Sequence, residues 1–266
     1  MVETSGLRPV AVVTGVSRRG TIGAAIVERL AADGWDLAFT HWLPYDADRP
    51  WGAHPEDVEA IAGNAAGHGA RVRPIALDVT ADDAATALFD QTTTQLAAPT
   101  ALVLSHTHGV RSGILDTTEA SFDRHFAVNV RASWLLVREF CRRRVAAGHD
   151  ANSRGGRIVA LTSDHTTGNL PYGASKGALD RIVTAAGVEL AAHGITGNVV
   201  NPGPTDTGWV TDELRPRLLE RAVAGRLSEP EDAANLVAFL LSERGGWVNG
   251  QVLHSTGGWG LDPSRA

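Results

Sequence analysis

One cysteine, one lysine, one methionine and two tyrosines are all that this 266-residue chain holds of those types. The lone thiol, Cys141, excludes an internal disulfide framework and a cysteine-based zinc site, and it fits a reducing compartment. Long apolar runs are missing too: Val10 to Val13 is far too short for the core of a secretion signal, and nothing approaches the length of about 18 apolar residues that marks a membrane span. A soluble, cytoplasmic protein with no membrane partner is expected. Positive charge is outweighed, with 24 basic residues against 30 acidic ones and a net charge of −6. That balance argues against a nucleic-acid partner, since a sequence-independent grip on phosphates needs a basic surface. All the basic residues but one are arginine. The exception, Lys176, suggests a task that the rigid, permanently charged guanidinium cannot perform.

No repeat, low-complexity run or Pro/Gly/Ser-rich linker divides the chain, so one domain spanning 1–266 is expected. Short apolar runs alternate with longer segments whose apolar residues recur at three- and four-residue spacing, the pattern of a parallel sheet covered by helices. Strands are expected at Pro9–Thr14, Asp36–Thr40, Val72–Leu77, Ala101–Leu104, Arg157–Leu161, Thr196–Val200 and Gln251–His254. Helices are expected near Ile22–Asp33, Pro55–His68, Ala81–Leu96, Glu119–Ala147, Pro171–His193 and Pro230–Ser242, with Arg142–Arg144 as a solvated cluster. Two connections are longer than simple turns, His41–Ala53 and Pro204–Leu227. Long connections beside strand C-termini in an open α/β sheet are where ligands bind.

Two motifs carry chemistry. The first strand runs through Gly15, Ser17, Arg18, Arg19, Gly20, Thr21, Ile22 and Gly23 into a helix. Glycines at such a turn let the backbone approach a pyrophosphate, whose charge the helix N–H groups meet. The second motif places Tyr172 and Lys176 four apart on a helix, where their side chains share a face. A phenol titrates near ~10 in water, and an adjacent ammonium favours its ionised form, which brings it toward acid–base work. His106, Thr107, His108 and His165 show no HExxH spacing or neighbouring carboxylate pattern, so they read as residues of a wet cleft, with no metal. Trp42, Trp51 and Trp209 fall in the long connections, where they could shape an apolar pocket.

With these motifs the chain resembles the short-chain dehydrogenase/reductase family from about Val10 to Gly258. The matching elements are the glycine turn, Leu77-Asp78-Val79, Asn129, Ser163, Tyr172 with Lys176, and Asn201-Pro202-Gly203-Pro204. Gly225-Arg226-Leu227-Ser228-Glu229-Pro230-Glu231-Asp232 and the closing Gly250-Gln251 and Gly257-Gly258 are most similar to the 3-oxoacyl-carrier-protein-reductase-like branch. The resemblance implies a doubly wound Rossmann-type parallel sheet of seven strands, order 3-2-1-4-5-6-7, and a homotetramer. It also implies that Tyr172 is the general acid or base, that Lys176 lowers its pKa and holds the nicotinamide ribose, that Ser163 bonds the substrate oxygen, and that Asn129 positions a water. Asp78 and Val79 would meet the adenine, and Pro202, Gly203, Thr205 and Thr207 would frame the nicotinamide.

The chain departs from the family pattern in three places. Gly15 and Gly23 lie eight apart, with Thr21 where a middle glycine belongs; Ser105-His106-Thr107-His108-Gly109 replaces Asn-Asn-Ala-Gly; and Ser163 precedes Tyr172 by only nine residues, so Thr162 or Thr166 could take its place. For the cofactor, an acidic residue at the end of the second strand would select NAD(H). This strand ends in His41, with Arg18 and Arg19 nearby and Asp46 and Asp48 following in the connection. NADP(H) is therefore expected over NAD(H), with a small-molecule carbonyl or alcohol as substrate. The alternatives are a nucleotide-binding sensor or scaffold without chemistry, which the intact Asn129, Ser163, Tyr172 and Lys176 set disfavours; a sugar-nucleotide epimerase, which needs a longer C-terminal region; and an enoyl reductase, in which the Tyr and Lys are spaced more widely.

Overall fold

The structure, a computed structural model, describes residues 8–151 and 155–261. Its seven strands are β1 (Val10–Thr14), β2 (Asp36–His41), β3 (Val72–Ala76), β4 (Ala101–Leu104), β5 (Gly156–Leu161), β6 (Ile195–Asn201) and β7 (Val252–His254). They form one parallel sheet in the order β3-β2-β1-β4-β5-β6-β7, as expected. Every residue of β1, β4 and β6 is buried, because helices cover both faces. That is why these strands read as unbroken apolar runs instead of alternating ones.

Alternate strand residues feed two separate cores. Ala11, Val13, Val103 and Val159 pack with the apolar stripes of α1 (Ile22–Ala32), α3 (Pro55–Gly67) and α9 (Pro230–Leu241). Val10, Val12, Leu102 and Ile158 pack on the other side with α4 (Ala84–Gln95), α6 (Ser133–Ala146) and α7 (Leu170–Glu189). Between β1 and β4 the chain reverses its direction of progress across the sheet, which opens a crevice at the strand C-termini.

The long helix expected over Glu119–Ala147 is divided. α5 (Glu119–Phe126) and α6 are joined by a π-helical turn, Ala127–Ala132. The widened turn contains Asn129, and its inserted residue rotates one helix relative to the next, so the single apolar face read from the sequence is not continuous. Val137 faces inward, whereas Trp134 is 46% exposed. Arg144 likewise leaves the solvated cluster: it is buried, and its guanidinium bonds the Gly155 carbonyl and His149. The two long connections also carry short helices that apolar spacing did not reveal, α2 (Leu43–Ala47) and α8 (Leu214–Leu219). Cys141 is buried in α6.

Helix α7 lies closer to the sheet than side chains normally permit. A Cβ on Gly187 would run into the backbone of Gly197 in β6, and one on Gly197 would run into the carbonyl of Val183. Asn249 completes the contact, accepting from the Gly197 N–H at 2.9 Å and donating to the Gly187 carbonyl at 2.9 Å. Gly197→Ala is expected to lower stability by about 2 kcal/mol or more, the scale of a methyl forced into packed space, with a lower midpoint in urea unfolding. An unchanged midpoint would show that the helix can shift without cost.

Candidate active site

The crevice at the β1/β4 reversal is a cavity of about 460 Å³. Its floor is the glycine turn. Gly15 has φ +74°, and a Cβ there would run into the backbone of His106 at the end of β4; Gly23 sits where a Cβ would lie 3.1 Å from the Gly15 carbonyl. The backbone is therefore bare where the turn meets the start of α1. Thr21, in place of the expected middle glycine, is the N-cap: its hydroxyl accepts from the Ala24 N–H and donates to the Arg18 carbonyl at 2.8 Å. Ser17, Arg18, Ile22 and Gly23 line the cavity at this helix terminus, a donor set suited to a pyrophosphate. Gly20 and Arg19 do not. The Arg19 guanidinium turns outward and pairs with Asp57 at 2.5 Å, at the first turn of α3.

Asp78 and Val79 line the same end. Thr80 donates both its N–H and its hydroxyl to one Asp78 oxygen, at 2.9 and 2.7 Å, so the second oxygen remains for an amine. His41 is there as well, with its pKa lowered by burial and its Nδ1 without a partner. Arg18 reaches across to donate to the Thr207 carbonyl at 3.1 Å, lies 4.2 Å from the Trp51 ring centre, and stands 3.7 Å from Asp46. Asp46, from α2, thus approaches the position where an acidic residue was missing at the end of β2, and it also accepts from the Trp51 indole at 2.8 Å. Trp51 meets Trp209 edge to face at 4.6 Å, so the two long connections touch over the cavity.

At the other end stand Ser163, Tyr172, Lys176, Pro202, Gly203, Thr205 and Thr207. The short interval between Ser163 and Tyr172 is accommodated at Gly173, where a Cβ would run into the carbonyl of His165. The connection passes flat against the first turn of α7, which brings the Ser163 hydroxyl near the Tyr172 phenol. Thr166 is absent from the cavity wall, whereas Thr162, although largely buried, lines it next to Ser163. Lys176 is buried 5.6 Å from the Tyr172 ring centre and donates to the Leu161 carbonyl at 2.9 Å. Burial pushes the phenol up to about 12, with Tyr45 adding to the effect and the nearby Ser163 hydroxyl opposing it. It pushes Lys176 down to about 8. The expected lowering of the phenol by Lys176 does not emerge: desolvation sets the direction of the shift.

The Asn129 side chain does not line the cavity. Its oxygen accepts from the His108 N–H at 2.7 Å, and its amide donates to the His108 carbonyl and to Ser175 Oγ, each at 2.9 Å. Its side chain is a strut between the β4 connection and α7, so any water would have to be held by other groups. His106 lines the cavity as expected, but it is buried instead of wet. It is buried beneath the glycine turn, with Nδ1 2.6 Å from the Thr14 hydroxyl and Nε2 3.2 Å from the Val128 carbonyl. No histidine or carboxylate cluster fit for a metal occurs among the described residues, and no helix among them is long and apolar enough to cross a membrane.

Residues 15–260 match the family model described as enoyl-(acyl carrier protein) reductase. An uncharacterized oxidoreductase of Bacillus subtilis, YjdA, is 36% identical over 94% of this chain and 96% of its own length. The chain belongs to the short-chain dehydrogenase/reductase family. A chloroplastic NADPH-dependent aldehyde reductase-like protein of Arabidopsis thaliana is 33% identical over 94% of this chain and 93% of its own. A blue fluorescent protein from a metagenomic library, solved in complex with NADPH, superposes with a TM-score of 0.82 at 30% identity, over 97% of this chain and all of that one. This short-chain dehydrogenase/reductase is thus an NAD(P)-dependent oxidoreductase, and its glycine turn, α1 terminus and Asp78 fit a dinucleotide.

Tyr45, Asp46 and Thr21 are cavity residues to which sequence reasoning had assigned no role in the site. Only Thr21 carried a local signal, as a hydroxyl residue directly before a helix. His106 also leaves a signature in stability. Burial holds its pKa down at about 4, so its neutral form stabilises the fold fully above the ordinary value near ~6.5, and that contribution is lost as pH falls toward 4. Between pH 6.5 and 4 the wild type should lose up to about 3 kcal/mol more unfolding free energy than His106→Gln, measured by urea titration. Equal slopes would mean that His106 titrates normally.

Proposed function

We propose that the protein interconverts a carbonyl and an alcohol with NADP(H) in preference to NAD(H), and that Tyr172 transfers the proton. The observation that carries this reading is the convergence of Tyr172, Ser163 and Lys176 at one end of a cavity whose other end is a bare-backbone helix terminus. The nicotinamide, when bound, supplies or takes the hydride. Gly15, Ser17, Arg18, Ile22 and Gly23 hold the pyrophosphate side, His41, Asp78 and Val79 the adenosine, and Pro202, Gly203, Thr205 and Thr207 the nicotinamide.

Ser163 and Tyr172 bond the substrate oxygen together, and the Tyr172 hydroxyl delivers its proton as negative charge develops there. A phenol held near 12 keeps its proton at neutral pH, which suits the reductive direction. The Lys176 ammonium, fixed by the Leu161 carbonyl, offsets the charge left on the phenolate, and Asn129 holds α7 against the β4 connection as a positioning residue. The Tyr-x-x-x-Lys spacing favours carbonyl over enoyl reduction. A carbonyl-reducing role also agrees with the aldehyde reductase named among the relatives. The chain is taken to work as one domain, 1–266, within a homotetramer, a reading that the exposed Phe122, Trp134 and Val188 on α5, α6 and α7 support.

Turnover, followed by nicotinamide absorbance over a panel of ketones and aldehydes, should fall on the order of a hundredfold or more in Lys176→Arg and in Tyr172→Phe, with cofactor still bound by the latter. Near-normal rates in either variant would overturn the mechanism. A wild type that binds cofactor and turns over nothing would favour the sensor or scaffold.

For the cofactor, Arg18 alone stands beside the adenosine end, because Arg19 is held by Asp57. Arg18→Gln should weaken NADPH tenfold or more, the worth of a charge-assisted hydrogen bond, and NADH far less, in fluorescence titrations. Equal losses would show that Arg18 only supports the turn.

A further inference from the structure

Beside Tyr172 the mouth of the cavity carries arginines that the reaction does not use. Arg111 comes from the connection after β4 and Arg124 from α5, and both line the cavity. The connection is seated close to the reacting end. A Cβ on Gly109 would lie 3.6 Å from the Tyr172 ring, and the Ser112 carbonyl accepts the Leu170 N–H at 2.9 Å, at the start of α7. One layer behind, the Arg49 guanidinium lies 4.3 Å from the Tyr45 ring centre. Tyr45 in turn meets His108 edge-on at 5.8 Å, and His108 meets His125 at 4.6 Å.

These arginines are unmatched. Among the described residues no carboxylate pairs with Arg49, Arg111 or Arg124, whereas the cavity's remaining arginine, Arg18, has Asp46. The Arg49 Nε is buried without a hydrogen-bond partner. Of the cavity's carboxylates, Asp46 is paired with Arg18 and Asp78 is held by Thr80, which leaves Asp164 beside Arg111 and Arg124. Their field is felt locally, because Arg49 and Arg124 reinforce burial and His125 in holding His108 down at about 4. In a chain of net charge −6, a positive mouth beside the proton donor is a recognition feature, since a cleft of one sign draws in and orients ions of the other. Guanidinium forks match planar and tetrahedral oxyanions in two-pronged geometry.

We infer that the carbonyl substrate bears an oxyanion, carboxylate or phosphate, bound by Arg111 and Arg124 with Arg49 behind them. This deepens the carbonyl-reductase reading and rests on it. The test uses three aldehydes of one shape: 4-formylbenzoate, 4-formylphenyl phosphate and methyl 4-formylbenzoate. Each is titrated by tryptophan fluorescence in the presence of oxidised cofactor, where reduction cannot proceed, and is then assayed with the reduced form. At least one anionic aldehyde should bind tenfold or more tighter than the neutral ester, and which one does so identifies the oxyanion. That advantage should shrink with added salt, and Arg111→Gln combined with Arg124→Gln should abolish it. Equal binding of all three, or a double variant that weakens ester and anions alike, overturns the inference. Preferential anion binding without turnover would sink the reductase reading while keeping this one, and turnover of the ester without any preference would do the reverse.

Discussion

The seat of α7 on β6 depends on two backbones touching where no side chain fits, at Gly187 and Gly197. Both catalytic candidates of α7 inherit their position from that contact. With the helix pressed onto the sheet, Lys176 reaches the carbonyl at the end of β5, and Tyr172, one turn earlier, is brought to the cavity wall. A second close approach, of the His165 carbonyl on Gly173, brings Ser163 to the same phenol. Three glycines therefore set the geometry of the three side chains to which the proposed mechanism assigns the chemistry.

Desolvation then governs the behaviour of those groups. Tyr172 and Lys176 are pushed in opposite directions, each toward its neutral form. A lysine near 8 retains its charge at neutral pH but is poised to lose it, whereas an exposed lysine would not be. Arginine in this place could not respond to burial in that way. The solitary lysine of an arginine-rich chain thus occupies a buried position, where desolvation eases the loss of its proton. His106 is treated similarly: kept neutral beneath the glycine turn, it joins Thr14 on β1 to Val128 on the π-helical turn.

The roof is formed by connections instead of the sheet. Trp51 and Trp209 meet across the cavity, and Arg18 bonds the Thr207 carbonyl, so the two long connections are joined at more than one point. Connections can vary while the sheet beneath stays the same, which is how a common scaffold accommodates different substrates.

Seven strands, the cover of helices, the glycine turn and the Tyr172/Lys176 pair were all legible in the sequence, because each rests on local order. A strand buried on both faces reads as an apolar run, an i,i+4 pair shares a helix face, and a glycine turn between strand and helix has few other uses. The outward turn of Arg19 to Asp57, the approach of Asp46 to Arg18, the burial of Arg144 and the strut made by Asn129 were not legible. Each joins residues that only folding brings together, and the direction of a long side chain is decided by whichever partner the tertiary structure supplies. By itself the sequence determined the architecture and the pairing of Tyr172 with Lys176, through periodicity and spacing along one element. The tertiary structure alone decided which arginines face the cavity and which are neutralised, because charges pair through space, between elements whose distance apart in the chain says nothing about their separation in the fold.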